Sequence, residues 1–531
     1  MSETASRASD GLILAIDCGT QSVRALAIDL HGDVVAKAQA PLNEYCSPQP
    51  GWLEHDAEAF WRKTAGACRQ LLEGDAALQP RLRAVAVTTQ RGTVIPVGED
   101  GKPLHNAIIW LDQRRTNRTL KSLPLGWRAV VFVAGASDVL QGFLNNSEIA
   151  WLADHRPEVH AATKKYLMLS GWLNYRLTGR FVDSVASQVG YLPFDFRRQR
   201  WARDNDWTWR ALGIGREQTP DLVPPGAMLG EVSASAAREA GIPKGLLVIA
   251  AAGDKACEIV GAGAVGEDVA ALSFGTTATV NVASPRYFEA VRFSPPYPAL
   301  IPGRYACEVQ TFRGYWMVRW FRDQFAQQER EVAAAQGVPV ELLFEKFLKE
   351  TQAGANGLMM QPYWTPGVRT PEPAARGAMI GFTADHTRAD VYRAILEGLA
   401  FEMRYGKERI EARSHTRVIR LRVAGGGSQS DAAMQLTADI FNLPAERPHS
   451  YEASGVGAAI AGAVGAGLYP DFPAAIAAMT RPGRAFTPNP ENAALYDRLY
   501  RSVYRRLYSR LKPLYHAIRA VTTKDSHMRP E

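Results

Sequence analysis

Two aspartates come soon after apolar runs that are typical of buried strands. At the end of such a strand a carboxylate can contact a ligand. Asp254 follows the run 246–252, and Asp17 follows the run 12–16. A carboxylate at the end of a buried strand is well placed to act as a general base, and one beside a turn can hold Mg²⁺ through water. Each has a structural alternative, because Asp254 could cap a helix beginning near Ala256 and Asp17 could be a simple turn residue.

Glycine–threonine turns end two apolar runs that lie about half the chain apart. The first turn is Gly19-Thr20 and the second is Gly275-Thr276, and another strand-like run follows each. The backbone N–H groups and the hydroxyl of such a turn can hold an anion. Arg24, shortly after the first turn, could neutralise phosphate charge or lie on a solvated strand face. The repeated strand–turn–strand pattern predicts two domains of similar topology.

A glycine-rich turn follows a third strand-like run. The run 418–423 leads into three glycines, residues 425–427, and a helical pattern then covers 431–441 with Ser430 or Asp431 as its N-cap. Glycines at the start of a helix leave backbone N–H groups open and let a ligand approach the main chain. A tight turn without a ligand is the structural alternative.

Together these parts meet the requirements of phosphoryl transfer. That reaction needs anion-binding turns, a carboxylate that accepts the hydroxyl proton, and oxygen ligands for Mg²⁺. The sequence has no P-loop, no His-Glu-x-x-His, no Gly-x-Ser-x-Gly and no protein-kinase catalytic loop. Any bound nucleotide must therefore be held by other means.

The patterns alternate between strand and helix, which is typical of an α/β layered domain. The predicted elements of the first part are strands at 12–16, 23–29, 34–38, 84–88 and 106–110 and a helix at 57–72.

The composition indicates a water-soluble globular protein. The chain has 531 residues, of which 46% are hydrophobic and 22% charged, and this length corresponds to two large domains or several small ones. Its five cysteines include no Cys-x-x-Cys pair, which favours a reducing compartment over disulfides or a zinc site. Residues 1–10 are polar and the most apolar stretch, 455–468, is too short to span a bilayer. We therefore expect a cytoplasmic protein without a membrane partner.

The formal net charge is +7, and much of the excess lies at 498–529. Leucines and tyrosines recur there at helical spacing, which predicts a terminal amphipathic helix with a solvated basic face. A nucleic-acid surface is the alternative, but no nucleic-acid-binding signature accompanies it. We expect no nucleic-acid partner.

The order and spacing of the motifs resemble the FGGY family of carbohydrate kinases, which has the actin/Hsp70/hexokinase-like ATPase fold. The resemblance runs from about Gly11 to Leu514. The segments that carry it are 15–22, Pro50-Gly51-Trp52-Leu53-Glu54-His55-Asp56, 89–92, 109–114, 252–254, 273–277, 396–398 and 425–430.

The resemblance implies an α/β protein of two actin-like (ribonuclease H-like) ATPase domains with a cleft between them. The N-terminal domain would be 11–258, on the sugar and phosphate side, and the C-terminal domain 259–520, on the nucleotide side, with a polar tail at 521–531. ATP and Mg²⁺ would bind in the cleft, and a homodimer is one option for the assembly.

The resemblance also assigns roles residue by residue. Asp254 would be the base that deprotonates a substrate hydroxyl, and Asp17 and Asp254 would hold Mg²⁺. The residues implied at the phosphates are Thr20, Gln21, Arg24, Gly275 and Thr276. Those at the adenosine are Gly426, Gly427 and Ser430, and those facing the polyol are Arg91, Trp110 and Asp112.

Departures from known branches bear on the substrate. Glycerol kinases carry Arg-Glu where this chain has Arg91-Gly92, and Gln where Lys255 follows the base. Xylulokinases carry Met-His-Gly near Gln90 and Asn or Gln after the base. The segment 310–323 resembles branches near the autoinducer-2 kinases and uncharacterised sugar kinases. Lys255 could bind an acidic or carbonyl-bearing substrate, or be a solvated helix residue.

The sequence thus predicts an ATP-dependent kinase for a small sugar or polyol, such as a ketose or pentulose. A glycerol kinase and an autoinducer-2-type kinase are alternatives within the same chemistry. A non-catalytic nucleotide or sugar sensor on the actin-like fold is the alternative from another class.

Overall fold

Two large mixed β-sheets, one in each half of the chain, form the framework of the protein. The structure is a computed structural model that describes residues 11–120, 126, 132–133, 135, 137–365 and 371–524. The strands of the first sheet are, in spatial order, Met228–Glu231, Leu247–Gly253, Leu82–Thr89, Leu12–Cys18, Ser22–Asp29 and Val34–Pro41. Those of the second are Tyr297–Pro298, Tyr305–Thr311, Ala278–Ser284, Val269–Phe274, Arg420–Ala424, Ala445–Pro448 and Pro482–Phe486.

The two sheets share one topology. Leu12–Cys18 pairs antiparallel with the next strand and parallel with Leu82–Thr89. Val269–Phe274 likewise pairs antiparallel with its successor and parallel with Arg420–Ala424. Parallel neighbours need a crossover, and the covering helices bury both faces of the central strands, which is why 12–16 is apolar throughout. The predicted α/β class and the predicted repeat of topology are confirmed.

Helices cover the sheets and fill the space between them. Their bounds are Ala57–Gly74, Ser137–Asn146, Glu148–His155, Pro157–Ala162, Leu169–Thr178, Trp207–Leu212, Ala234–Ala240, Asp254–Gly261, Trp316–Phe325, Gln327–Gln336, Glu345–Glu350, Arg388–Ser414, Asp431–Phe441, Ala453–Gly465, Phe472–Met479, Pro490–Leu499 and Arg505–Lys524. The helix predicted at 431–441 is confirmed with Ser430 as its N-cap. The helix predicted at 57–72 extends two residues further.

Small sheets lie beside the main ones. A five-stranded sheet of the first half contains Tyr45–Cys46, Glu54–His55, Ala107–Ile108, Val94–Val97 and Lys165–Met168. Paired strands are Val182–Ser184 with Asp221–Val223, Phe194–Asp195 with Arg200–Trp201, and Met359–Gln361 with Ala378–Ile380. The strand predicted at 106–110 is shorter, because the chain turns where the Asp112 N–H donates to the Ile109 carbonyl.

Helix Ala453–Gly465 packs on the first sheet although it lies in the second half of the sequence. Its side chains share a buried cluster with Ile13, Ala86 and Ile249, so the most apolar stretch of the chain is a core helix, as expected for a helix that is apolar all round. Among the described residues, no helix combines the length and apolar character needed to cross a membrane. All five cysteines are free thiols.

The predicted domain limits stay a prediction. The boundary between 258 and 259 falls inside helix Asp254–Gly261, and the last helix reaches Lys524, four residues into the predicted tail. That helix buries Leu507 and Tyr515 and leaves Leu514 and Ile518 exposed.

Candidate active site

A cavity of about 260 Å³ lies between the two halves of the chain. Side chains from both main sheets and their following turns form its wall. The lining residues are Thr20, Gln90, Arg91, Gly92, Trp110, Val189, Asp254, Lys255, Thr276, Thr277, Tyr297, Gln310 and Phe312. Five of the predicted site residues are therefore brought together here: Thr20, Arg91, Trp110, Asp254 and Thr276.

Asp254 faces this cavity from the first position of its helix. Gly253 occupies the N-cap, so the alternative of Asp254 as the cap residue does not apply. One carboxylate oxygen, Oδ1, accepts the backbone N–H of Lys255 at 2.7 Å and lies 3.7 Å from Arg91 Nε. The side chain is 28% exposed, so the carboxylate is held in place and still open to a ligand.

Asp17 is buried behind this edge of the first sheet. Its Oδ2 lies 3.2 Å from Arg24, whose guanidinium also binds Glu452 at 2.8 Å. Burial raises the pKa of Asp17 to about 6, although the Arg24 charge lowers it; the charge of Asp254 raises it further. Arg24 is thus bound to two carboxylates and is absent from the cavity wall, so its predicted contact with phosphate stays a prediction.

Thr20 joins a hydrogen-bonded chain on the predicted sugar side. Trp110 Nε1 donates to Thr20 Oγ1 at 3.1 Å, and Thr20 Oγ1 donates to Gln90 Oε1 at 2.9 Å. Gln90 Nε2 is buried and has no hydrogen-bond partner among the described residues. An unpaired buried donor is costly, which makes Gln90 a strong candidate for a substrate contact. Gln21 is exposed and does not line the cavity.

The side chain of Arg91, a residue of the first half of the chain, contacts residues of the second half. Its guanidinium donates to both oxygens of Glu308, at 3.1 and 3.2 Å, and lies 5.2 Å from the ring centre of Tyr297. Burial opposes the charge of Arg91, but Glu308 and Asp254 outweigh it and raise its pKa. Sequence reasoning missed Glu308 and Tyr297; the available signal was a lone carboxylate within the strand-like run 305–311.

Asp112 lies behind the cavity wall rather than on it. Its side chain is 1% exposed; Oδ2 accepts the Leu53 N–H at 2.6 Å, and the carboxylate binds Arg114. Arg114 also pairs with Glu54 at 2.8 Å and lies within 5 Å of the ring centres of Trp52 and Trp151. Trp52 of the Pro-Gly-Trp segment packs in this buried cluster. The cluster fixes the loop that places Trp110 on the cavity wall. The predicted contact of Asp112 with substrate stays a prediction.

The second Gly-Thr turn reaches the cavity from the second half. Thr276 and Thr277 line the wall, and the Gly275 carbonyl accepts the N–H of Tyr315 at 3.0 Å. A Cβ on Gly275 would make only ordinary contacts, the nearest at 3.5 Å. The turn is therefore not closed off by its neighbours, and its predicted contact with phosphate stays a prediction.

Lys255 is not a solvated helix residue. Its side chain is 16% exposed, and Nζ donates to Ser273 Oγ at 2.6 Å and lies 3.3 Å from Glu258 Oε2. Burial disfavours its charged form, but the charges of Glu258 and Asp254 prevail and raise its pKa. The interpretation of Lys255 as a surface lysine is wrong.

The glycine-rich turn is open on one side and covered on the other. A Cβ on Gly426 would meet nothing within 4 Å, whereas one on Gly427 would lie 2.4 Å from the Tyr315 ring. Ser430 Oγ accepts the Ala433 N–H at 3.2 Å and donates to Glu345 at 3.2 Å. The turn therefore leaves open space beside Gly426, while the Ser430 hydroxyl caps the helix; the predicted contacts of Gly426, Gly427 and Ser430 with adenosine stay predictions.

The donor set suits Mg²⁺ carried by a nucleotide. Within the described ranges, no three His, Cys, Asp or Glu side chains are grouped as a metal cage. Mg²⁺ bound with phosphates uses one or two carboxylates and keeps several waters. Asp254 offers one such carboxylate to the cavity, while Asp17 is buried behind it and paired with Arg24; their predicted contacts with Mg²⁺ stay a prediction.

Comparison with known proteins agrees with this architecture. Residues 12–261 match the N-terminal domain, and 270–466 the C-terminal domain, of the FGGY family of carbohydrate kinases. The uncharacterized sugar kinase YgcE of Escherichia coli (strain K12) is 29% identical over 497 residues, covering 92% of each chain. A glycerol kinase of Rhodospirillum rubrum is 30% identical over 495 residues, covering 90% of this chain and 94% of the relative.

A solved structure has the same two-domain fold. The xylulose kinase from Lactobacillus acidophilus superposes with a TM-score of 0.80 at 21% identity, over 96% of this chain and 100% of that one. The fold predicted from the resemblance is confirmed. The chain belongs to the FGGY family of carbohydrate kinases and is a phosphotransferase that acts on a sugar or polyol hydroxyl.

Proposed function

We propose that this kinase transfers the γ-phosphoryl group of ATP to a small, uncharged sugar or polyol, with Asp254 as the general base. The observation that carries the proposal is the position of the Asp254 carboxylate. It faces a cavity whose wall also contains the second Gly-Thr turn and the Gln90–Thr20–Trp110 chain. The acceptor hydroxyl and the phosphoryl donor can then meet at one carboxylate.

Each residue has a defined part in this proposal. Asp254 accepts the proton of the attacking hydroxyl, and the N–H groups and hydroxyl of Gly275-Thr276 bind phosphate oxygens. Bound Mg²⁺, held by Asp17 and Asp254, would neutralise phosphate charge. Arg24 orients the Asp17 carboxylate through their ion pair, and the open side of Gly426 receives the nucleoside.

An uncharged substrate follows from the pairing of the cation on the sugar side of the wall. Glu308 binds the Arg91 guanidinium through both carboxylate oxygens, so Arg91 is not left for a substrate carboxylate. Lys255, held by Glu258 and Ser273, lies beside the second Gly-Thr turn rather than among the sugar-side groups. Gln90 Nε2 offers an unpaired donor to a hydroxyl or carbonyl oxygen. Ketoses such as pentuloses, and linear polyols including glycerol, present these groups. The cytoplasmic location and the homodimer option stay predictions.

A substrate panel tests this choice. ADP release would be measured with ketopentoses, linear polyols, glycerol and the acid gluconate at equal concentrations. We expect turnover with at least one neutral compound and a kcat/KM for gluconate at least tenfold lower. Preference for gluconate would contradict the uncharged pocket, and the absence of turnover with every compound, alongside ATP binding, would favour a sensor.

Replacing Asp254 tests its role as the base. Asp254→Asn should lower kcat by about 10²–10⁴-fold, because that is the usual contribution of a general base, while ADP affinity measured by calorimetry in the absence of Mg²⁺ should change little. Asp471→Asn is the matched control, since Asp471 also begins a helix, as N-cap of Phe472–Met479, and lies outside the cavity wall. Equal kcat for the wild type and Asp254→Asn would refute the assignment.

A further inference from the structure

Lys255 connects the helix of the proposed base to the strand that leads into the second Gly-Thr turn. Its Nζ donates to Ser273 Oγ at 2.6 Å, at the end of Val269–Phe274. A Cβ placed on Gly275 would lie 3.8 Å from the same nitrogen. The ammonium thus lies between Asp254, its neighbour in sequence, and the turn that we assign to phosphate.

This ammonium has one hydrogen-bond donor to spare. A lysine ammonium carries three N–H donors. In the part of the chain that the structure describes, the partners of Lys255 Nζ are Ser273 Oγ and Glu258 Oε2. The side chain lines the cavity, so the third N–H can reach a ligand there without giving up either partner.

We propose that Lys255 is a catalytic residue that binds the γ-phosphoryl group of ATP and stabilises it during transfer. The inference rests on the proposed function and extends it. The oxygen of the substrate hydroxyl forms the new P–O bond while Asp254 takes the proton of that hydroxyl, and the P–O bond between the γ-phosphoryl group and ADP breaks. Lys255 keeps its proton throughout and offsets the negative charge on the oxygens of the phosphoryl group during its transfer.

The position of Lys255 favours the phosphoryl group over the sugar. Its partner Ser273 belongs to the second sheet and directly precedes the Phe274-Gly275 step into the turn. The polar groups assigned to the sugar, on Gln90, Trp110 and Arg91, come from the first half of the chain. A purely structural bridge between the halves is the competing explanation, and it predicts a different binding pattern.

Nucleotide binding, measured in the absence of a sugar, distinguishes the two explanations. The dissociation constants of ADP and of the β,γ-imido analogue of ATP would be measured by calorimetry with Mg²⁺ present. Lys255→Gln should weaken the analogue by about 10–100-fold, the usual worth of one charge-assisted hydrogen bond, and leave ADP within about twofold. Lys255→Arg, which keeps the charge, should restore part of the loss.

Two further variants serve as controls. Lys407→Gln removes a similarly buried lysine that pairs with a glutamate of its own helix, Glu411, at 2.8 Å; it should change neither constant. Ser273→Ala removes the bridge between the halves but keeps the ammonium, and it should weaken the analogue less than threefold.

Three results would overturn the inference. Equal weakening of ADP and analogue by Lys255→Gln, matched by Ser273→Ala, would make Lys255 a structural bridge. Unchanged binding of both nucleotides by Lys255→Gln would remove it from the phosphoryl site. A wild-type protein that binds neither nucleotide would refute the proposed function, and the inference with it.

Discussion

Burial destabilises the charged form of the Asp17 carboxylate, and the ion pair with Arg24 does not fully offset this effect. The pKa of Asp17 rises from 3.8 to about 6, chiefly through burial. The folded state therefore binds this proton more tightly than the unfolded state, so stability falls as the pH rises from about 4 to about 6. Above that window the cost is complete, at about 3 kcal/mol. A carboxylate held in this way gains most from a nearby cation, as its proposed contact with Mg²⁺ requires.

Asp17→Asn removes the group that titrates. Relative to the wild type, the variant should gain stability as the pH rises from about 4 to about 6, by up to about 3 kcal/mol, because it lacks the buried charge; above about pH 6 the difference should stay constant. Urea denaturation of both proteins at several pH values, without nucleotide or metal, measures this difference. The exposed Asp204→Asn is the control, and a pH-independent difference for Asp17→Asn would contradict the prediction.

Two helices from distant parts of the chain cross closely because glycines form the contact. A Cβ on Gly457 would lie 2.0 Å from the Cys257 carbonyl oxygen, and one on Gly261 would lie 1.9 Å from the Ala453 carbonyl oxygen. These neighbours are backbone atoms and cannot rotate away. The crossing holds the helix that begins at Asp254 against the helix Ala453–Gly465, so its packing determines where the proposed base points.

Gly457→Ala should destabilise the protein strongly. Overpacking costs about 1–3 kcal/mol where side chains can yield, and here rigid backbone must move, so we expect at least the upper value. Gly66→Ala, inside helix Ala57–Gly74 with nothing within 4 Å of the new Cβ, should instead be neutral or stabilising by up to about 1 kcal/mol. The free energies of unfolding in guanidinium chloride test both, and similar values would contradict the close crossing.

Contacts across the sugar side of the cleft join the two halves of the molecule. Arg91 pairs with Glu308, the Phe196 ring packs edge-on against Tyr297 at 5.7 Å, and Gln199 donates to the Arg304 carbonyl at 2.8 Å. Closure of a two-lobed kinase excludes water from the phosphoryl group in transfer. Gly92, the neighbour of Arg91 in the sequence, offers no carboxylate. Glu308, from the second half of the chain, provides one to Arg91 instead.

Glu308→Gln should weaken both this closure and substrate binding. Breaking a buried ion pair leaves an uncompensated charge, which costs about 3–5 kcal/mol in full burial; since Arg91 is 17% exposed, we expect less, about 2 kcal/mol. The sugar KM should rise at least tenfold while the ATP KM changes little. Glu267→Gln, which removes the more exposed pair with Arg286, is the control for steady-state kinetics and thermal unfolding. An unchanged sugar KM would count against this role of the pair.

The sequence by itself determined the strands, the turns and their order. Apolar runs such as 12–16 and the glycines at 425–427 report local burial and local backbone freedom, which is why the helix at 431–441 was predicted correctly, with Ser430 as one of its two candidate caps. Asp254 was identified for the same reason, since strand end and carboxylate are adjacent in the chain.

Only the tertiary structure decided which side chains meet across the cleft. The pairing of Arg91 with Glu308, the donation from Lys255 to Ser273 and the hydrogen bond from the Leu53 N–H to the buried Asp112 each join segments that are separate in the sequence. A hydrogen bond depends on a few tenths of an ångström and on direction, and the packing of two sheets and their helices determines both. Residue type and spacing along one chain do not contain that information.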